Sequence, residues 1–406
     1  MRIQDKKRLA LVLSGGGVKA AAFHIGACIA LKEKGFKFAG GSKDHVDKIY
    51  HDDAMTFKTY VGSSAGSVIS TFLAAGYDIN TVVEAFLKGS GEEFSRFIKK
   101  DDANPEPTFL KPFSYSDIFS LNIKSSSPVD LVSNLMKKKP IISGGLEVLF
   151  KKGFRVNGLF NTQNLEKYLR ENCHPENTFE SLGVKLYIVA TQLNHSRKVV
   201  FGSFDETYAD DHMKIANYAT VSEACAASAS LPPFFAPYPI QNEKGKDIYY
   251  FDGEIRDTLS THVAVDHGAD LVISSYTIQP YHYNEKIGSL HEYGMPVISN
   301  QALYQVVQQK IINHIRNNRK FRDMMNAVNG YLKEIDLPDE HRHKLLDILE
   351  ERSNYKRDVD YMYIHPKHED YEFFFADHFS LNPDILTKIV KAGIRSAMQT
   401  LRRHNI

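Results

Sequence analysis

The chain has 406 residues, of which 43% are hydrophobic and 24% charged, and its 50 Lys and Arg residues nearly balance its 49 Asp and Glu residues. This composition excludes a disordered, low-complexity or collagen-like chain, because enough apolar surface is available to offset the entropy lost on folding. The formal net charge of +1 argues against a protein that coats nucleic acid, which needs an excess of Lys and Arg. The length suits one elaborated domain or two ordinary ones.

The cysteines and the apolar runs predict where the protein resides. The three cysteines, Cys28, Cys173 and Cys225, are widely spaced, which suggests neither a disulfide framework nor a zinc site and favours a reducing compartment. No stretch reaches the ~20 apolar residues of a membrane-spanning helix, and the first apolar run is too short for a signal peptide. We therefore expect a cytoplasmic protein whose contact with a membrane, if it makes one, is peripheral. No cofactor or metal is predicted, since the histidines lack the spacing of metal ligands.

Short apolar runs alternate with helix-period segments, which predicts an α/β fold. Residues 9–13 read as a buried strand, followed by glycines and an alanine-rich helix over 18–34 that ends at Gly35. A second unit repeats this design, with a strand ending at 60–61, a tight glycine turn and a helix over 68–75. We expect the strands of such units to be mainly parallel.

The rest of the chain predicts a core with insertions. Residues 8–280 form the predicted catalytic core, with a lid-like insertion at about 94–152 that is rich in proline and serine. Residues 281–360 are predicted to be a mainly helical insertion, broken at Leu337-Pro338, and 361–406 to supply a final strand and helix. The predicted later elements are helix 161–171, strands 185–190 and 198–201, helix 216–227, strands 248–251, 271–276 and 361–364, and helix 383–402.

The turn after the second strand has the pattern of a nucleophile elbow, Gly62-Ser63-Ser64-Ala65-Gly66. A serine in a sharp strand-to-helix turn projects its hydroxyl outward, and small residues two places to either side let the strand and helix approach closely. The following helix directs its positive end at the reaction centre. This pattern predicts Ser64 as a nucleophile; a plain glycine turn is the alternative.

Between the first strand and first helix, three successive glycines leave backbone N–H groups unobstructed. These are Gly15, Gly16 and Gly17, two residues before Lys19. The loop lacks the Gly-Lys-Ser/Thr of a phosphate loop, and no strand ending in an acid follows at the distance that a dinucleotide site needs. We predict an oxyanion hole formed by N–H groups of this loop and of Ala65. The alternative is a helix entry that needs glycine for packing.

A serine nucleophile needs a base, and an acid at a strand end is a candidate. Asp252 ends the apolar run 248–251 and is followed by Gly253, which lets the chain turn away. From the residues alone, an Asp-Gly turn without a catalytic role and a Ser-Asp-His triad both stay open. His262 and His365 follow Asp252 in the chain order that a triad would require.

These motifs together resemble the patatin-like phospholipases, particularly the bacterial members. The first strand, glycine loop and first helix look like the family's opening segment, and the elbow and the Asp-Gly at 252–253 look like its catalytic motifs. The ordered matches span most of 8–280 and roughly 360–402. The resemblance implies a three-layer α/β/α fold of the patatin and lysophospholipase type, with a mainly parallel central sheet and helical insertions.

The resemblance also implies which residues act. Ser64 would be the nucleophile and Asp252 the base of a Ser-Asp dyad, which leaves the histidines outside the chemistry. Lys19, Gly62, Gly66 and Gly253 would support the motifs. The chain departs from the family's pattern in two places: Ala20 stands for a glycine, and Glu254 stands where the family has a small residue after Asp-Gly. A second carboxylate near Asp252 would raise the pKa of Asp252 and affect catalytic efficiency more than fold; a Glu254 side chain that points to solvent is the alternative.

Two segments combine basic and apolar residues. Residues 136–155 carry six Lys and Arg residues interleaved with bulky apolar ones, which suits contact with an anionic membrane; a lid packed on the core is the equal alternative. Residues 303–324 carry a second basic set, with apolar positions 303, 306, 307, 311 and 315 at helical spacing. Here an ordinary surface helix packed by that stripe explains the pattern.

We therefore expect a serine hydrolase that cleaves acyl esters of phospholipids or lysophospholipids through an acyl-enzyme. A catalytically weak lipid-binding or effector protein on the same fold is one alternative. An acyltransferase is another, although in the malonyl-transferase relatives the nucleophile follows a histidine, where this chain has Ser63. The sequence does not predict acyl length, head group or oligomeric state.

Overall fold

The computed structural model describes residues 5–50, 54–87, 94, 109–122, 157–173, 176–195, 197–353 and 355–406. Nearly all of the predicted lid-like insertion at about 94–152, and all of the basic segment 136–155, therefore lie outside the described residues. Among the helices that are described, none combines the length and the apolar character needed to cross a membrane.

A large, mainly parallel sheet forms the centre of the fold. The strands are β1 Leu9–Leu13, β2 Lys37–Phe38, β3 Thr56–Ser63, β6 Lys185–Gln192, β7 Arg197–Phe201, β8 Tyr208–Ala209, β9 Met213–Ala216, β10 Tyr238–Gln241, β11 Asp247–Asp252, β12 Leu271–Ser275 and β13 Asp360–Ile364. The main path of strands across the sheet runs β13-β12-β1-β3-β6-β7-β9-β8; β2 pairs with β3, β11 pairs with β6, and β10 pairs with β11. A separate pair consists of β4 Ser120–Leu121 and β5 Phe160–Asn161.

Helices cover both faces of this sheet, which gives the three layers that the sequence predicts. The helices are α1 Gly17–Glu33, α2 Lys43–Ile49, α3 Ala65–Ala74, α4 Ile79–Leu87, α5 Tyr115–Ile118, α6 Gln163–Asn172, α7 Val221–Ser228, α8 Thr261–Asp266, α9 Met295–Glu334, α10 Asp339–Ser353, α11 Tyr371–Phe375 and α12 Pro383–Arg403. On β1, Leu9 and Leu11 face the larger core with α1 and α3, whereas Ala10 and Val12 face the smaller core with α8. A strand buried on both faces reads as a continuous apolar run, which explains its sequence.

The first and last long helices of the described fold pack backbone to backbone. A Cβ on Gly26 of α1 would lie 2.1 Å from the carbonyl oxygen of Val390, and a Cβ on Gly393 of α12 would lie 2.2 Å from that of Phe23. Only glycine permits this approach. The chain end at α12 is therefore fixed against the helix that follows the glycine loop.

Between β12 and β13 the chain forms a long helical hairpin. The 40-residue α9 is followed by α10, and the break between them falls at 335–338, as the Leu337-Pro338 pair predicts. The predicted apolar stripe of α9 is wrong in part: Val307 and Ile311 are buried, but Leu303 and Val306 are 52% and 58% exposed. Tyr304 is buried instead, because the face that packs on the core is centred on 304, 307 and 311.

One predicted helix boundary is also wrong. We expected a helix over 216–227, but Ala216 ends β9, where it pairs with Phe201, and α7 begins only at Val221. Thr220 caps this helix by accepting the N–H of Glu223, and the Glu223 side chain accepts the N–H of Thr220. This reciprocal capping box stops the helix from extending toward the strand.

Candidate active site

Ser64 lies in a strained turn between β3 and α3. Its φ of 51° is in the left-handed region, which costs a non-glycine residue about 1–3 kcal/mol. Its N–H donates to the Oγ of Ser228 at 2.7 Å, and the Ser228 hydroxyl in turn donates to the carbonyl oxygen of Val189 at 2.6 Å. A buried hydrogen-bond relay from α7 and β6 thus holds the turn in place.

Ser64 and Asp252 meet because two strands end against each other along one edge of β6. β3 runs parallel to β6 and ends with Ser63 opposite Val189. β11 runs antiparallel to β6 and ends with Asp252 opposite Ala190, the next residue along. Both strands lie on the edge of β6 that faces away from β7, since β7 pairs with the same β6 residues. The serine turn and the carboxylate therefore lie next to each other, opposite consecutive residues of β6.

The two side chains are neighbours. The Ser64 hydroxyl is close enough to the Asp252 carboxylate, which is 1% exposed, to lower its pKa. Burial raises the pKa of Asp252 to about 6, against the opposing effects of the Ser64 hydroxyl and the N–H of Glu254. At neutral pH Asp252 is therefore mostly ionised, and its carboxylate is a stronger base than an ordinary one. This suits a group that must accept and return a proton.

The glycines that flank this pair are required by close packing. A Cβ on Gly62 would lie 2.4 Å from the Cα of Ser67, and a Cβ on Gly253 would lie 2.2 Å from the carbonyl oxygen of Val189. Gly66 packs in the same way against the end of β1. The predicted supporting glycines thus let β3, α3 and β11 converge at one point.

The glycine loop lies beside the nucleophile. A Cβ on Gly15 would be 2.8 Å from the Cβ of Ser64. The N–H of Gly15 donates to Glu254 Oε1 at 2.8 Å. Gly16 and Gly17 have φ of 133° and 70°, conformations that favour glycine. Gly17 begins α1 and Ala65 begins α3, so both N–H groups belong to first helical turns, where they have no acceptor inside the helix.

Lys19 is buried behind the glycine loop. Its Nζ donates to the carbonyl oxygen of Phe373 at 3.2 Å and lies 3.3 Å from His378 Nε2, and burial lowers its pKa to about 7. His378 Nδ1 lies 3.2 Å from the carbonyl oxygen of Gly16, and Tyr304 of α9 contacts His378 Nε2 at 2.7 Å. This cluster ties the loop to the helical hairpin and to the segment after β13.

The two histidines that could have completed a triad contact other groups. His262 Nε2 lies 2.7 Å from the Nζ of Lys198, and His365 Nδ1 lies near Gln279 and the carbonyl oxygen of Pro366. A different histidine, His24, is buried with Nε2 2.8 Å from the carbonyl oxygen of Ser14, and burial lowers its pKa to about 4. It is uncharged at neutral pH.

An apolar cavity of about 70 Å³ opens at Ser64. Its walls come from α1, α3, α4, α5 and the start of α6, from the segment 229–235 after α7, and from Phe113 and Phe379. The lining residues are Gly17, Val18, Ala21, Ser64, Ala65, Val68, Phe86, Phe113, Ile118, Thr162, Leu165, Ala229, Leu231, Phe235 and Phe379. Such a lining suits a hydrocarbon chain rather than a polar ligand.

Sequence reasoning did not identify three residues that build this site. Ser228 holds the elbow, His378 holds the loop, and Glu254, noted only as a departure, accepts the Gly15 N–H. Ser228 lies in the segment ACAASAS, where nothing in the local sequence distinguishes it from Ser230. Nothing in the local sequence distinguishes His378 from the other 16 histidines.

The sequence model of one family, described as patatin-like phospholipase, matches residues 11–265. The match begins inside β1 and ends inside α8, so it includes the glycine loop, Ser64 and Asp252. It covers more than half of the 406 residues.

Proposed function

Since this chain belongs to the patatin-like phospholipases and is thus a lipid acyl hydrolase, we propose that it cleaves acyl esters of phospholipids or lysophospholipids by a Ser64–Asp252 dyad. The observation that carries the proposal is that Ser64 and the buried Asp252 carboxylate lie side by side where β3 and β11 end on β6, at the mouth of an apolar cavity. A nucleophile with an adjacent base is the arrangement that covalent acyl transfer needs.

The first half of the reaction forms an acyl-enzyme. Ser64 Oγ attacks the ester carbonyl carbon while Asp252 takes its proton, and the carbonyl oxygen becomes an oxyanion. The oxyanion accepts hydrogen bonds from the N–H groups of Gly16, Gly17 and Ala65, each worth about 3 kcal/mol of transition-state stabilisation. The N–H of Gly15, which we also predicted for the oxyanion hole, donates to Glu254 Oε1 instead. When the C–O bond breaks, Asp252 returns the proton to the departing alcohol.

The second half releases the fatty acid. Water loses a proton to Asp252 and attacks the acyl carbonyl, and collapse of the second tetrahedral intermediate breaks the bond to Ser64 Oγ, which regains the proton. The acyl chain occupies the apolar cavity in both steps, so that the carbonyl carbon is held at the nucleophile.

The proposal is tested by labelling and hydrolysis. Wild-type protein should bind a fluorophosphonate probe at Ser64 and release fatty acid from lysophosphatidylcholine or phosphatidylcholine vesicles. Ser64→Ala should abolish both, and Asp252→Asn should lower the rate of each about a thousandfold or more. A matched control is Ser70→Ala, which removes a buried hydroxyl of α3 that has no hydrogen-bond partner among the described residues. Full hydrolysis by Asp252→Asn would contradict the dyad, and absence of labelling in the wild type would favour a lipid-binding or effector role.

A further inference from the structure

Glu254 is a buried carboxyl group that the dyad mechanism does not use. It follows Asp252 by two residues, in the short 3₁₀ turn Gly253–Ile255, and is 6% exposed. Its side chain points back into the site, where Oε1 accepts the N–H of Gly15 at 2.8 Å. A buried carboxyl group at this position is costly unless it has a structural or chemical role.

Glu254 contacts both halves of the site. Its backbone N–H donates to Asp252 Oδ1 at 2.9 Å, which orients the carboxylate beside Ser64. Its side chain packs on the glycine loop so closely that a Cβ on Gly15 would lie 2.6 Å from the Glu254 Cγ and 2.8 Å from the Ser64 Cβ. One residue therefore sets the spacing between the base, the nucleophile and the loop.

The surroundings of Glu254 favour its uncharged form. Its Oε2 is buried and has no hydrogen-bond partner of ordinary geometry among the described residues. The charged groups that act on it are the carboxylates of Asp252 and Asp257, and the polar groups are the Gly15 N–H and the Ser63 hydroxyl. Burial, followed by the charge of Asp252, raises the pKa of Glu254 to about 8, against the lowering effect of Gly15 and Ser63.

We propose that Glu254 is a positioning residue that acts as an uncharged carboxylic acid, holding the glycine loop against the Ser64–Asp252 pair, and that its ionisation switches the site off. This inference rests on the proposed function of that pair. An ionised Glu254 would place a second negative charge beside Asp252 and beside the loop that must receive an oxyanion, and in a buried site this repulsion is strong.

The experiment compares pH profiles, whose shape rather than height is the readout. For the wild type, kcat/KM on a soluble ester and the rate of fluorophosphonate labelling should both be bell-shaped, with limbs near pH 6 and pH 8. Glu254→Gln cannot ionise, so its alkaline limb should disappear, and its ratio of rates at pH 9 and pH 7 should exceed that of the wild type about tenfold. Glu254→Ala should have a lower kcat than the wild type at every pH, with little change in KM, because the Gly15 N–H loses its acceptor. Glu350→Gln, in α10, is the matched control and should keep the wild-type profile.

The possible outcomes separate this inference from the proposed function. Absence of labelling in the wild type would refute the nucleophile itself. Labelling with the same alkaline limb in Glu254→Gln as in the wild type would overturn the role of Glu254 alone, as would a Glu254→Ala protein more active than the wild type. If the variants do not fold, the test is an infrared titration of wild-type protein with ¹³C-labelled glutamate. It should show a protonated carboxyl band at pH 7 that is lost above pH 8. Absence of this band at pH 7 would also refute the inference.

Discussion

Gly66 of the elbow lies so close to the end of β1 that a Cβ on it would be 2.1 Å from the carbonyl oxygen of Leu13. Leu13 lies two residues before Gly15 of the glycine loop, and Gly66 follows the nucleophile by two residues. The contact therefore joins the two loops of the site through backbone alone. No side chain could occupy this space without moving one loop away from the other.

A pair of helical glycines tests this contact. Gly66→Ala should lower the free energy of unfolding by about 3 kcal/mol or more, because the methyl group meets backbone that cannot yield. Gly330→Ala, in α9, should raise it by up to about 1 kcal/mol, since a Cβ there meets nothing within 4 Å and alanine favours the helix. Denaturant unfolding of both variants measures the difference. Equal effects at the two sites would contradict the packing argument.

The relay through Ser228 leads to a second prediction. Ser228→Ala leaves the Ser64 N–H and the Val189 carbonyl oxygen without their partner, and each is buried. We expect a loss of about 1–3 kcal/mol in unfolding free energy and a fall in kcat that exceeds the change in KM, because the elbow loosens. Ser70→Ala, in which no hydrogen bond is lost, should change neither. A Ser228→Ala protein with wild-type kcat would show that the elbow keeps its shape without the relay.

The local parts of the fold were predictable from the sequence, whereas the long-range pairings were not. β1, the glycine loop and the elbow each have a signature within a few neighbouring residues. The Asp-Gly at 252–253 likewise indicated Asp252, whose carboxylate lies beside the serine turn. The meeting of β3 and β11 end to end on β6 depends on partners more than 120 residues away from β3, and no local pattern encodes it. For the same reason the sequence did not indicate Ser228 and His378, since each contacts a backbone group that is distant in the chain.

The acid limb of the activity profile should report Asp252. The carboxylate must be ionised to accept the Ser64 proton, so activity is present above its pKa of about 6 and falls about tenfold for each pH unit below it. The measurement is kcat/KM between pH 4 and 8 with a neutral soluble ester, alongside circular dichroism to confirm that the protein stays folded. An acid limb centred near pH 4, the range of an ordinary exposed carboxyl, would contradict the burial argument.

Glu254 should also make the stability of the protein depend on pH. Its folded-state pKa of about 8 lies above the ordinary value of 4.5, so the folded protein holds this proton more tightly than the unfolded chain does. Its contribution to stability is therefore complete below about pH 4.5 and is lost progressively as the pH rises to about 8, by up to about 1.4 kcal/mol per unit. Unfolding free energies of wild type and Glu254→Gln, measured across this range, should diverge, with the wild type falling more steeply. Parallel curves would refute the raised pKa.

Phe113 limits the apolar cavity and should influence which acyl chains fit. Its ring lies 4.8 Å from that of Phe86 and 4.1 Å from that of Tyr168, centroid to centroid, and it is 2% exposed. Phe113→Ala would open space where these rings meet, at a cost of about 3–5 kcal/mol in stability. We expect the ratio of kcat/KM for long-chain to short-chain esters to rise, because the longer chain gains apolar contact. Phe36→Ala removes an equally buried ring that does not line this cavity, and it should lower stability without changing that ratio. An equal long-chain to short-chain ratio in Phe113→Ala and Phe36→Ala would indicate that the acyl chain binds elsewhere.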